Sequence, residues 1–215
     1  RRDMRYPYLL FDHDGVLVDT EYWYYEATRR ALAPLGITLD RQAYQQIMVQ
    51  GRAAWELAEQ AGIDERRIAA QRRLRNSWYQ EFLRTRDIEI DGVRELLGRL
   101  ATRHRMAVVT TARRVDFELI HRERDLLATM EFVLTREDYR QAKPHPEPYL
   151  LALQRLGARP EQALVIEDSE RGLRAAVAAG IDCAVVHNDF TAGHDFSTAS
   201  YRLQTLAGLA DILRS

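Results

Sequence analysis

Short apolar runs alternate along the chain with longer stretches whose apolar residues recur at helical spacing. The runs Tyr8–Phe11, Met106–Thr110, Phe132–Leu134, Ala163–Ile166 and Cys183–Val186 are brief and almost wholly apolar. Strands covered on both faces have this character, because neither face is left to water. Between them, Val93–His104 places Val93, Leu96, Leu97 and Leu100 at helical spacing. Pro146–Leu156 does the same with Tyr149, Leu150, Leu153 and Leu156, and alanine-rich Glu170–Ala179 ends at Gly180, a helix stop. The alternation predicts parallel βαβ units. The expected class is α/β: a Rossmann-like parallel sheet in a three-layer α/β/α core.

The first strand is not followed by a short crossover. Residues 19–86 intervene, and they read as helices over Glu21–Leu35, Arg41–Gln50, Ala53–Ala61 and Arg66–Thr85. This stretch holds all three tryptophans (Trp23, Trp55, Trp78) and five of the ten tyrosines, enough for an aromatic core of its own. The expected organisation is therefore a catalytic core of residues 1–18 plus 87–215, with a helical domain of residues 19–86 inserted after the first strand. The basic run in Arg66–Arg86 reads as a solvated helix face.

At 215 residues the chain suits one large domain, or one with a smaller insertion. A net charge of −1 selects neither nucleic acid nor a membrane as partner. No apolar segment approaches a membrane span, and RRDMRYPYLLFDHDG lacks the apolar centre of a signal peptide. A cytoplasmic location is expected, and oligomeric state is open between monomer and dimer. The single cysteine, Cys183, excludes an intrachain disulfide and reads as a core thiol. One compositional fact points to chemistry: of the 31 Lys and Arg residues, only Lys143 is a lysine.

In an open parallel sheet, ligands bind at the carboxyl ends of the strands, near the point where strand order reverses. Asp12 and Asp14 follow the first strand, Thr110 and Thr111 end the second, and Glu167 and Asp168 follow Ala163–Ile166. Lys143 lies in the loop KPHPEP just before a helix. One rim can thus collect carboxylates, a hydroxyl and an ammonium. Carboxylates brought together repel unless a cation joins them, and a hard oxygen set suits Mg²⁺. A carboxylate can attack phosphorus as a covalent nucleophile, with the cation and Lys143 offsetting its repulsion from phosphate. A second carboxyl two residues on can serve as acid and then base. Gly15 supplies the freedom for a turn that brings both aspartates into the site.

These segments resemble the haloacid-dehalogenase-like hydrolases. DHDGVLVDT at 12–20 resembles their DxDGxxxDT signature, and VVTT at 108–111 their second motif. KPHPEPY at 143–149 resembles KPxPxxY, and VIEDSERGLRAAVAAG at 165–180 resembles EDSxxGxxAAxxAG. Order and spacing agree across residues 12–180, and the helical insertion resembles the family's α-helical cap. The resemblance implies a phosphatase acting on a small phosphorylated metabolite. Asp12 would be the nucleophile and Asp14 general acid, then general base. Thr110 and Lys143 would bind the transferring phosphoryl group, with donors from Thr111 and Ala112. Asp168 would bind Mg²⁺ with Asp12 and the Asp14 backbone carbonyl, and Glu167 would assist directly or through water. Gly51 and Arg52, between two cap helices, would contact substrate. The expected hinges are Asp19–Glu21 and Asp87–Gly92.

Four other readings stand beside it. A hydrolytic dehalogenase of this family lacks the second aspartate, which is present here as Asp14. A Schiff-base phosphonoacetaldehyde hydrolase needs a cap lysine, and residues 19–86 contain none. A phosphomutase of the β-phosphoglucomutase type shares the four motifs, but resembles DTExxH after the first. Here the stretch is DTEYWYY, with Tyr24 in the histidine's place. A non-enzymatic phospho-ligand binding protein remains open, since fold alone proves no activity. The cluster Tyr22–Tyr25 reads as cap core or as pocket lining, and His13 receives no role.

Overall fold

The computed structural model describes residues 4–214. Six parallel strands form one sheet: β1 (Tyr8–Phe11), β2 (Arg105–Val109), β3 (Val133–Leu134), β4 (Ala163–Glu167), β5 (Asp182–Val186) and β6 (Tyr201–Leu203). Their order is β3-β2-β1-β4-β5-β6, so the order reverses beside β1, between it and β4. Phe11 pairs in register with both Val108 and Ile166. Asp12 therefore lies one step beyond β1, level with Val109 and Glu167 at the ends of the two flanking strands, where this class of sheet opens a crevice.

The apolar strands are buried as expected: Leu9, Leu10 and Phe11 are wholly inaccessible, as are Ala107, Val108, Val165 and Ile166. One face packs Leu10, Val109 and Val165 with Tyr149, Leu153 and Leu173. These last residues come from helices α7 (Glu147–Leu156) and α8 (Glu170–Ala178). Cys183 is a buried free thiol in the same core, and burial pushes its pKa up.

Several boundaries depart from expectation, the third strand among them, which begins at Val133 and not Phe132. The second and fifth strands each begin one residue earlier, and the second ends at Val109, leaving Thr110 past the ladder. The fourth strand extends through Glu167, which thus ends a strand and does not follow one. The helix expected over Val93–His104 stops at Leu100, because His104 turns inward and its Nδ1 meets the Tyr6 carbonyl at 2.8 Å. We label that helix α5 (Val93–Leu100). Strand β6 and the helices α6 (Arg114–His121) and α9 (Leu209–Leu213) are not among the expected elements. β6 is a three-residue edge strand with Arg202 at its centre, so it shows no apolar run.

The chain divides into two compact units, one of residues up to Asp19 and from Glu89 onward, the other Thr20–Ile88. The second contains α1 (Glu21–Leu32), α2 (Arg41–Val49), α3 (Glu56–Gln60) and α4 (Glu65–Thr85). Asp40 and Asp64 cap α2 and α4, accepting from Ala43 N and Arg66 N. Of the aromatic cluster, Tyr25 is buried in the core of this unit, Trp23 and Tyr24 are half-buried against it, and Tyr22 is exposed. Trp23 packs on Phe82, Tyr24 on Tyr79, and Tyr25 on Tyr44, with centroids 5.1, 5.1 and 5.2 Å apart. No helix among the described residues is long and apolar enough to cross a membrane.

His104 makes stability pH-dependent. Burial depresses its pKa below the ordinary 6.5, against the Tyr6 carbonyl, which favours the charged form. The unfolded chain then binds the proton more readily than the folded one, so this contribution is complete above pH 6.5 and is lost as pH falls below it. His104→Asn keeps a donor for Tyr6 but cannot titrate. The urea midpoint of the variant should fall less than that of the unaltered protein between pH 7 and pH 5, and parallel curves would refute the assignment.

Candidate active site

The site is built where β1, β2 and β4 end. Beyond Phe11 the chain must leave the sheet, and the turn 12–18 is closed by Leu17 N donating to His13 O at 2.9 Å and Gly15 N to Val18 O at 2.8 Å. Gly15 has φ +81°, a left-handed conformation costly for any residue with a Cβ. A Cβ there would also stand 2.2 Å from Asp168 Oδ2. The glycine therefore permits both the turn and the approach of Asp168 to it.

Lys143 occupies the centre. It is almost wholly buried, and its ammonium donates to Asp12 Oδ1 at 3.0 Å, Glu167 Oε1 at 2.6 Å and the Val109 carbonyl at 2.9 Å. An ammonium has three N–H bonds, and all three are satisfied. Burial works against its charge, but Asp12 and Glu167 outweigh burial and hold its pKa above the ordinary lysine range. Glu167 is fully buried and also accepts from the Tyr149 hydroxyl at 2.5 Å. Burial first, then the Asp12 charge, pushes Glu167 up to about 7, with Lys143 and Tyr149 opposing.

Asp12, Glu167 and Asp168 each present a carboxylate oxygen, and these oxygens all lie within 4.8 Å of one another. Glu167 Oε2 is buried without a hydrogen-bond partner. A cluster of hard acidic oxygens with an orphaned buried oxygen fits a divalent cation such as Mg²⁺. Asp14 adjoins this group but contributes no side-chain oxygen to it. Asp168 Oδ2 is oriented by the Asn188 amide, which donates at 2.9 Å. Ser169 follows and caps α8, accepting from Gly172 N at 3.1 Å.

Thr110 lies just past β2 and is buried, its hydroxyl oxygen accepting from Ala112 N at 3.0 Å and its carbonyl from the Tyr139 hydroxyl at 2.7 Å. The Ala112 amide, expected as a donor to phosphate, is thus spent on Thr110 here. Thr111, between them, is half-buried. Gly51 and Arg52 belong to the helical unit. Gly51, at φ +67°, stops α2, and the Arg52 guanidinium binds Glu56 at 2.7 Å and Gln50 at 3.2 Å.

Sequence reasoning leaves Tyr149, Gly172 and Asn188 without roles. Tyr149 and Gly172 stand inside the third and fourth motifs, so a signal exists for both. Asn188, beyond β5, carries none. Gly172 lets α8 pass Glu167: a Cβ would lie 2.0 Å from its carboxyl carbon. Gly172→Ala should therefore displace Glu167 and cost roughly 1–3 kcal/mol, the usual penalty of overpacking. Equilibrium urea unfolding measures it, and an unchanged midpoint would mean that the carboxylate has room to move.

The family described as haloacid dehalogenase-like hydrolase matches residues 9–186. Fructose-1-phosphate phosphatase YqaB of Escherichia coli is 30% identical over 85% of this chain and 97% of its own. A phosphorylated carbohydrates phosphatase of Thermotoga maritima is 33% identical over 84% of this chain and 85% of its own. CbbY of Rhodobacter sphaeroides, solved with phosphate, superposes with a TM-score of 0.78 at 26% identity, covering 95% of this chain and 99% of that one. The family match spans the whole stretch from β1 to β5, and with it this chain belongs to the haloacid dehalogenase-like hydrolases.

Proposed function

We propose that the chain is a Mg²⁺-dependent phosphatase hydrolysing a small phosphorylated metabolite, a phosphosugar or phosphoglycolate-like monoester, through an aspartyl-phosphate on Asp12. The observation that carries this reading is the Asp12 carboxylate at the sheet's switch point, with Lys143 Nζ 3.0 Å from Oδ1. A carboxylate so placed is oriented by the ammonium, and Lys143 supplies positive charge where phosphoryl oxygens gather. The relatives point the same way, since two are named for phosphatases of phosphorylated sugars.

In this reading an Asp12 oxygen bonds to phosphorus as the ester P–O bond breaks. Asp14 protonates the departing oxygen. Asp14 then takes a proton from water, whose oxygen attacks the same phosphorus and releases inorganic phosphate, restoring Asp12. Lys143 and Thr110 hold the transferring group, aided by Thr111, while the Ala112 amide orients the Thr110 hydroxyl. Asp12, Asp168 and the Asp14 carbonyl would hold Mg²⁺, with Glu167 assisting directly or through water. Bound Mg²⁺ supplies charge that lets two anions approach. Glu167 has a second part: with Tyr149 it fixes the Lys143 ammonium. The unit Thr20–Ile88 acts as the substrate-selecting cap, with Gly51 and Arg52 its candidate contacts. The mutase reading gains nothing from Tyr24, whose ring is occupied by Tyr79 and by the Arg75 guanidinium 4.6 Å away.

The test is phosphate release from a panel of small phosphorylated metabolites, with Mg²⁺, with excess EDTA, and with Asp12→Asn alongside. Turnover should require Mg²⁺ and fall by more than about a thousandfold in the variant. Turnover that persists in both controls, or none from any compound, would overturn the reading.

A further inference from the structure

Directly between the two motif aspartates stands His13, fully buried. Side chains alternate along an extended strand, so the residue after Asp12 is directed to the opposite face of the sheet edge. There it meets α6. His13 Nε2 lies 2.8 Å from His121 Nε2, and the Phe117 ring packs against both imidazoles, with centroids 4.8 and 4.7 Å away. Phe117 and His121 lie four residues apart on one face of α6, so one helix turn delivers both.

Two imidazole nitrogens at this distance form a hydrogen bond only when one carries the proton and the other is bare. Burial, then the neighbouring His13 and Arg124, push the pKa of His121 down to about 3, against a smaller opposing effect of Asp14. His121 is thus a neutral ring able to complete such a bond. The other nitrogen of His13, Nδ1, is buried with no hydrogen-bond partner, and Asp14 Oδ2 stands 3.4 Å from it. The three groups form a line from α6 to Asp14, whose carboxyl is itself partly open to solvent. Nothing in the phosphoryl-binding set explains why a chain would keep two histidines behind that aspartate.

We propose that the His121–His13 pair is a positioning device for Asp14. His121 and Phe117 lock the His13 ring, and the locked Nδ1 fixes the orientation of the Asp14 carboxyl through its Oδ2. This rests on the reading of Asp14 as the acid that protonates the leaving oxygen. His121 touches no reacting atom. Its effect should appear only where the orientation of Asp14 matters.

That restriction makes the idea testable with two esters. 4-Nitrophenyl phosphate expels an anion that needs no proton, whereas an alkyl monoester expels an oxygen that does. kcat/KM reports the steps through transfer to Asp12, and so isolates leaving-group protonation. His121→Leu should lower kcat/KM at least tenfold for the alkyl ester that the unaltered protein hydrolyses fastest, and less than threefold for 4-nitrophenyl phosphate. His121→Gln, which can place an amide where Nε2 stands, should restore the alkyl value to within threefold. Equal losses on both esters would overturn the proposal, since general damage to the fold spares neither. Where His121→Leu does not fold, nitrogen-15 NMR of the histidine-labelled unaltered protein decides. A scalar coupling between the two Nε2 atoms supports the pair, and its absence refutes it. Failure of the unaltered protein to turn over either ester refutes the phosphatase reading before any variant is made.

Discussion

A lysine ammonium removed from water at the edge of a parallel sheet constrains everything around it. Lys143 keeps its charge only because two carboxylates and a carbonyl surround it. Deleting one partner of such a buried pair typically costs about 3–5 kcal/mol, since the other charge is left uncompensated. The partners are the residue that follows β1 and the last residues of β2 and β4, so the ammonium also pins three adjacent strand ends to one another. Glu167 needs a second donor, which Tyr149 provides from α7. It needs space as well, and Gly172 leaves that space in α8. The demand of one buried charge thus reaches from the sheet into both helices that cover it.

The acid cluster obeys the same logic from the other side. Asp12, Glu167 and Asp168 bring more negative charge together than one ammonium neutralises. Such an excess is unfavourable without a cation, which is what the proposed Mg²⁺ would offset. Asn188 and the Gly15 turn hold Asp168 in place, so the oxygens are arranged before any ligand arrives. Preorganisation of this kind spares the site from reorganising during the reaction.

Much of this was legible in the residues alone, for physical reasons. Fully buried parallel strands are apolar on both faces, so β1, β4 and β5 stand out in the sequence, and the polar residues that end them mark the rim. Lys143 stands out because it is the one lysine among the 31 Lys and Arg residues. What stayed hidden depends on contacts between residues far apart in sequence. His13 and His121 are 108 positions apart, and no local pattern announces their meeting. Asn188 is one polar residue in a polar loop. β6 pairs along its backbone and needs no apolar signature at an edge. The end of α5 is set by the long-range bond of His104 to Tyr6, which outweighs the local tendency to continue the helix.

The solitary lysine has a further consequence. Every other cationic side chain on this protein is a guanidinium, and the one primary amine of a side chain is sequestered inside the site and held protonated. Acylating agents and reducing sugars attack unprotonated, accessible amines, and protein acetylation acts on lysine. The outer surface thus offers no lysine to sugar aldehydes, the class of compound that a phosphosugar phosphatase would continually meet or release. Its side-chain amine is protected by the same ion pairs that make it useful.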